Sequence, residues 1–149
     1  TSQFFANVYL SELDYYIKHN LKAKYYIRYV DDFVILHRSK EKLQLYKWLI
    51  TNFLKQKLKL ELHPDKSRIT PLHSGVTLLG FRVFYHYKLP RKNNLKKFER
   101  KLNNHLNGGG NIVDYKVNKI LEGWFGYVMH GNTYKLRKRI VEEINKTVT

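Results

Sequence analysis

The stretch YYIRYVDDFVILH, from Tyr25 to His37, constrains the fold more than any other part of the chain. Two runs rich in Tyr, Ile, Val and Phe favour extended backbone, because branched and aromatic side chains pack well on a pleated surface. Only Asp31 and Asp32 separate them. The pattern predicts an antiparallel hairpin with strands over 25–30 and 33–38 and both aspartates at its tip. A two-residue hairpin turn favours Asn-Gly or Asp-Gly, since its central positions often need positive φ. Asp-Asp is a poor choice on that ground, and two adjacent carboxylates repel each other. A turn that serves structure alone has no reason to use this pair.

A divalent-metal site does have a reason. Mg²⁺, or Mn²⁺ in its place, takes hard oxygen ligands, commonly one or two carboxylates together with substrate phosphates. Strands on both sides would fix the carboxylates in space. Two ions held in this way can activate an attacking 3′-hydroxyl and stabilise a pyrophosphate leaving group. The charge of the chain points to the same chemistry. Its 149 residues hold 28 Lys plus Arg against 12 Asp plus Glu, a formal net charge of +16. Such an excess favours a polyanionic partner, nucleic acid first and an anionic membrane surface second. No apolar run approaches the ~18–20 residues that span a bilayer. TSQFFANVYLSELD, at the start, carries acids and lacks the basic opening of a signal peptide. With no cysteine there is no disulfide, thiol nucleophile or cysteine zinc site. The seven histidines show no metal-ligand spacing.

Around the hairpin the apolar spacing switches to the helical period. Residues 2 to about 19 read as a helix, with Phe5, Val8, Tyr9, Leu13, Tyr16 and Ile17 recurring on one face and Ser2 as its cap. Ser39 caps a second helix to about Lys57, with Leu43, Tyr46, Leu49, Ile50, Phe53 and Leu54 inward and Glu41 in its first turn. LKLEL (58–62) alternates as a short strand would, and HPDKS (63–67) reads as a turn. SRITPL and GVTLLGFRVFYHYKL read as two further strands about His73–Ser74–Gly75. After Pro90 the character changes. RKNNLKKFERKLNNHL is a basic helix, and Gly108–Gly109–Gly110, which no Lys and Ser/Thr follow as in a phosphate loop, reads as a linker. A helix over 113–130 turns Val117, Ile120, Leu121, Trp124 and Val128 to one face. Thr133 caps a last helix with Leu136, Ile140, Val141 and Ile144 inward. The expected fold class is α+β, an antiparallel sheet packed on helices over 1–90, then an all-α bundle over 91–149.

The motifs resemble one family. YVDD (Tyr29–Asp32) resembles the YxDD box of reverse transcriptases. TSQFFANVYLSELD (Thr1–Asp14) is similar to the Ser-Gln box and helix that precede it in prokaryotic members. LKLELHPDKSRI (Leu58–Ile69) resembles the lysine-bearing motif that follows, and GVTLLGFRV (Gly75–Val83) the LGF-type hairpin after that. GWFGYVMHGNTYKLRKRI (Gly123–Ile140) resembles the thumb helices. Four matches in order plus a thumb cover nearly the whole chain. The nearest members are diversity-generating-retroelement and group II intron-like bacterial enzymes; the TSQFFAN wording is closer to the former and related bacterial enzymes than to the Ser-Pro version common in group II intron maturases, and retron-type and host-defence enzymes stay open.

The resemblance implies the carboxy-terminal part of a polymerase palm over 1–90 and a helical thumb over 91–149. The implied activity is RNA-directed DNA synthesis by two-metal nucleotidyl transfer from a dNTP to a primer 3′-hydroxyl. The implied partners are an RNA template, a DNA primer or cDNA and dNTP, with no membrane, in the cytoplasm of a bacterium. An accessory protein of the retroelement stays open. Asp31 and Asp32 match the catalytic, metal-binding aspartates. Tyr29 and Val30 match positions near the primer terminus and incoming nucleotide, and Ser2 and Gln3 match the box that contacts template and nucleotide. Lys66 matches a lysine near the triphosphate, placed to neutralise or protonate the leaving pyrophosphate. Leu79, Gly80 and Phe81 match a hairpin that supports the primer strand. For Gly80 there is also a physical expectation: glycine within a strand marks a close approach to the backbone, as by a nucleic acid. Ser2 serves equally as a helix cap, Lys66 as a solvated charge, and Leu79 and Phe81 as core. Lys96, Lys97, Arg100 and Lys101 share a helix at spacings that keep several on one face. With Lys135, Arg137, Lys138 and Arg139 they form a candidate phosphate-contacting surface.

The family's third catalytic aspartate lies on a strand before the Ser-Gln box, and the chain starts inside that box. The expectation is a piece of a longer chain, inactive by itself because fingers and upstream aspartate are absent. The alternative is a non-catalytic nucleic-acid-binding remnant of the same fold. A membrane-surface protein ranks last, because packed layers would consume the amphipathic stripes.

Overall fold

In the computed structural model, residues 2–107 and 115–146 are described. The chain divides into two compact units, Thr1–Ile69 and Thr70–Thr149. It mixes helix with two small antiparallel sheets, in keeping with the expected α+β class.

The first unit starts with helix α1 (Ser2–Tyr15), which ends in a wider π turn over Tyr16–Asn20. Ser2 is the first helical residue and not a flanking cap. Strands β1 (Tyr25–Tyr29) and β2 (Asp32–Leu36) form the expected hairpin in the register Tyr25↔Leu36 to Tyr29↔Asp32. The turn is therefore Val30–Asp31, one residue earlier than the expected Asp31–Asp32, and Asp32 opens β2. Helix α2 (Lys40–Phe53) follows. Its cap is as read: the Ser39 hydroxyl accepts from the Lys42 amide at 2.9 Å and donates to Glu41 at 2.8 Å. A π turn over Leu54–Leu58 ends it.

Leu13, Ile17, Ala23, Tyr46, Ile50, Leu54 and Leu58 form the buried core, with Tyr26, Phe33 and Ile35 of the hairpin's inner face against it. Tyr16 stacks on Phe53, ring centroids 4.1 Å apart, and the Tyr9 hydroxyl donates to the Leu58 carbonyl at 2.6 Å. Burial of the α1 stripe is confined to its second half. Phe5, Val8 and Tyr9 are exposed, because α2 and the hairpin cover only the later turns. LKLEL forms no strand. Lys59 takes a left-handed conformation (φ 51°) and the Leu60 amide donates to the Leu54 carbonyl, so the segment closes the helix end. HPDKS is a turn, with the Ser67 amide donating to the His63 carbonyl at 3.1 Å.

SRITPL, which spans the boundary between the units, forms no strand and ends in a short 3-10 turn over Leu72–Ser74, and in the second unit GVTLLGFRVFYHYKL supplies three strands where two were expected overall. These are β3 (Val76–Leu78), β4 (Phe81–Val83) and β5 (Lys88–Pro90), in that spatial order. Helices α3 (Lys92–Asn107), α4 (Tyr115–Val128) and α5 (Tyr134–Lys146) follow. The linker at Gly108–Gly110 and the expected start of α4 at residue 113 lie outside the described residues. Phe98, Leu102, Val117, Trp124, Val128 and Ile140 form the helical core, and Phe98 stacks flat on Trp124 at 4.4 Å. Val141 is exposed and not inward as expected. The Thr133 hydroxyl donates to the Val128 carbonyl at 2.6 Å, and its own carbonyl accepts from Arg137, so it joins α4 to α5. The small sheet belongs with these helices: Asn132 exchanges two hydrogen bonds with Lys88 of β5, at 2.9 and 3.1 Å.

Candidate active site

The aspartate hairpin is held from one side. Alternation along β1 and β2 turns Tyr26, Arg28, Phe33 and Ile35 toward the core. It leaves Tyr25, Ile27 and Tyr29 on the open face. In the turn Val30 has φ 54°, and it alone of the two turn residues is positive. That sign pattern is of type II′, which ordinarily places glycine at this position. A β-branched residue there is strained and persists only where its surroundings over-determine it.

Those surroundings centre on Arg28. Its Nη1 donates to the Val30 carbonyl at 2.7 Å and to Asn7 Oδ1 at 3.0 Å. Its Nε and Nη2 grip Asp14 of α1 at 2.8 and 2.6 Å, in the two-pronged geometry that only a guanidinium provides. The Tyr26 hydroxyl donates to the same carboxylate at 2.5 Å. The Arg28 hydrogen bond, more than burial opposes it, holds the Asp14 carboxyl below its ordinary value. Burial first, then Asp14, push the Tyr26 phenol up. Reading the sequence for function missed Asn7, Asp14, Tyr26 and Arg28. The signal available was an arginine at an inward-facing position of an otherwise apolar strand.

Asp31 and Asp32 are exposed, and among the described residues neither carboxylate has a hydrogen-bond or ion-pair partner. No group of three or more His, Asp or Glu among the described residues could form a closed metal cage. The donor set thus fits an ion that takes one or two carboxylates and completes its shell with substrate and water oxygens, which is the habit of Mg²⁺ and Mn²⁺. It does not fit a dedicated all-protein site.

The other expected residues fall as follows. Ser2 and Gln3 lie exposed on the first turn of α1, the helix that carries Asn7 and Asp14. Lys66 is exposed in the 63–67 turn, and no described hydrogen bond or ion pair links it to the aspartates. Leu79 and Gly80 are not within a strand. They form the two-residue turn between β3 and β4, both with positive φ (50° and 80°), a I′ pattern. The close approach to Gly80 is made by this chain: the Tyr127 hydroxyl donates to its carbonyl at 2.6 Å, and a Cβ there would lie 2.6 Å from that hydroxyl. Phe81 is buried against Tyr127. Lys96, Lys97, Arg100 and Lys101 are exposed on α3, opposite Phe98 and Leu102, and no described ion pair neutralises them. Lys138 and Arg139 differ, being paired with Glu142 and Glu143 on α5.

Comparison with known proteins agrees with the motifs. The family model described as reverse transcriptase (RNA-dependent DNA polymerase) matches residues 1–83, more than half of the chain. The chain is 34% identical over 93 residues to the group II intron-encoded protein LtrA of Lactococcus lactis subsp. cremoris. The same match recurs for LtrA of strain MG1363. The alignment spans 62% of this chain and 15% of the relative. With the YVDD turn presented by a strand pair and the family model running through it, the chain belongs to the reverse transcriptase (RNA-dependent DNA polymerase) family.

Proposed function

We propose that this chain supplies the aspartate hairpin and a nucleic-acid-binding surface of an RNA-directed DNA polymerase, with residues 1–90 as part of its palm and 91–149 as its thumb. The observation that carries the reading is the pair of exposed carboxylates, without partners among the described residues, on a strained turn of a strongly basic chain. Asp31 and Asp32 would hold Mg²⁺ or Mn²⁺. The ion, when bound, would lower the pKa of a primer 3′-hydroxyl and neutralise charge on the leaving pyrophosphate. The protein's own part is positioning. Arg28 and Asp14 hold the turn, Tyr29 and Val30 border the reacting end of the primer, and Ser2 and Gln3 face template and nucleotide. Lys66 offers a cation for the triphosphate. Leu79 and Gly80 support the primer strand, and the α3 cations meet phosphates.

The test is primer extension on an RNA template with Mg²⁺, comparing the full product of the gene, its Asp31→Asn variant, and residues 1–149 alone. The expected outcome is cDNA from the unmodified product, a loss of at least a hundredfold with Asp31→Asn (roughly the 2.7–4 kcal/mol that one transition-state contact supplies), and none from residues 1–149. Extension by residues 1–149 alone would refute the expected dependence on a third aspartate. Equal duplex binding with no synthesis by any of the three would favour a non-catalytic binding module.

A further inference from the structure

We infer that Arg28 is a positioning residue whose guanidinium, anchored on Asp14 of α1, sets the left-handed Val30 peptide and thereby the direction in which Asp31 and Asp32 leave the hairpin. This rests on the metal-binding reading above for its consequence, though not for its geometry. One guanidinium spends four of its five N–H groups on three residues of two elements, helix α1 and the hairpin turn. Two go to Asp14, one to Asn7 and one to the Val30 carbonyl. The side chain is 11% exposed, so water competes little for those donors. Val30 needs such a hold, because its branched side chain disfavours φ 54° and a freed turn would relax toward extended backbone. The carbonyl that Arg28 grips belongs to the peptide joining Val30 to Asp31. A change in that peptide plane therefore swings the first carboxylate directly. The helix that anchors the clamp also bears Ser2 and Gln3, so the clamp ties the proposed template-contacting turn of α1 to the aspartates through one side chain.

Lysine keeps the charge and loses the fork, so Arg28→Lys tests geometry and not charge. Asp14→Asn is the milder second variant. In the isotopically labelled 149-residue chain, the three-bond couplings of the Val30 amide proton report φ, and the methyl signals of Leu13 and Ile50 report the core. With the core signals retained, both variants should shift the Val30 couplings away from positive φ. Mn²⁺ broadening of the residue 31 and 32 amides should then need about 10- to 100-fold more ion, the usual cost of removing a residue that orients a metal ligand. Adding Val30→Gly to Arg28→Lys should recover most of that affinity, because glycine takes positive φ without the clamp. A purely structural arginine would not be rescued at residue 30. Unchanged Val30 couplings in whichever variant folds would overturn the inference. If the couplings respond but Mn²⁺ never broadens residues 31 and 32, even in the unmodified chain, the clamp stands and the metal reading falls.

Discussion

Val30 and Leu79 occupy the same position in two different hairpin turns, and both have positive φ, 54° and 50°. In each turn a side-chain donor grips a turn carbonyl, Arg28 that of Val30 and Tyr127 that of Gly80. Both turns carry residues that the family resemblance assigns to the site. The Gly80 carbonyl also accepts from the Arg91 amide at 2.9 Å, so the second turn is held twice over. Gly80→Ala should therefore destabilise the chain by about 1–3 kcal/mol, from the strained φ and the collision with the Tyr127 hydroxyl. Tyr127→Phe removes the obstacle along with two hydrogen bonds, the one it donates to the Gly80 carbonyl and the one it accepts from Asn94, at a cost of about 1–3 kcal/mol. Urea unfolding of the two single variants and the double should show the pair to be less than additive. Strict additivity would mean that the tight approach of Tyr127 to Gly80 does not contribute.

At the scale of elements, α1 does two jobs with its two halves. Leu13 and Ile17 bury the second half, while Phe4, Phe5 and Val8 stay exposed on the first. Asp14 sits in the buried half and reaches the hairpin through Arg28 and Tyr26. Arg28 and Tyr26 on β1 and Lys18 on the following π turn are the groups that act on its carboxyl. Because the folded pKa lies below the ordinary 3.8, the pair's stabilisation is fully present above that value and is lost as pH falls through the lower folded one. Unfolding free energy measured between pH 5 and pH 2 should fall across that window, and Asp14→Asn should flatten the fall. A slope unchanged by the substitution would place the acid sensitivity on other carboxylates. The spacing of apolar residues announces α1 and α2 plainly, since both follow the helical period. It cannot announce which turns are covered, because Phe5 and Leu13 look alike until something packs on one of them. LKLEL shows the opposite failure: alternation suggests a strand, yet with no strand partner the segment instead returns its Leu60 amide to the end of α2.

For the whole molecule the dominant quantity is charge. Thr1–Ile69 holds 13 basic and 7 acidic residues, and Thr70–Thr149 holds 15 and 5. The excess is thus +6 in one unit and +10 in the other. Among the described residues only three ion pairs form, and two of these lie on α5. Replacing Lys96, Lys97, Arg100 and Lys101 with Ala should weaken duplex binding and lower the slope of log affinity against log salt by roughly 0.9 for each phosphate no longer neutralised. Replacing Lys138 and Arg139, whose charges are already shared with glutamates, should move it less. Filter binding at several salt concentrations measures both, and an unchanged slope in the α3 variant would mean that this helix does not face phosphate. Among the described residues no helix is long and apolar enough to cross a membrane.

The helices, the hairpin between α1 and α2, the cap at Ser39, the unusual aspartate pair and the family were legible in the residues themselves, because they depend on local spacing, local chemistry and motif order. Tertiary structure decided the rest. It moved the turn to Val30–Asp31, where the Arg28 guanidinium holds the Val30 carbonyl. It attached the β3–β5 sheet to the helices, through Asn132 and Tyr127, by hydrogen bonds between residues more than 40 positions apart. It also gave Arg28 its role, because a guanidinium within a strand acquires meaning only when a carboxylate on another element comes within hydrogen-bonding reach.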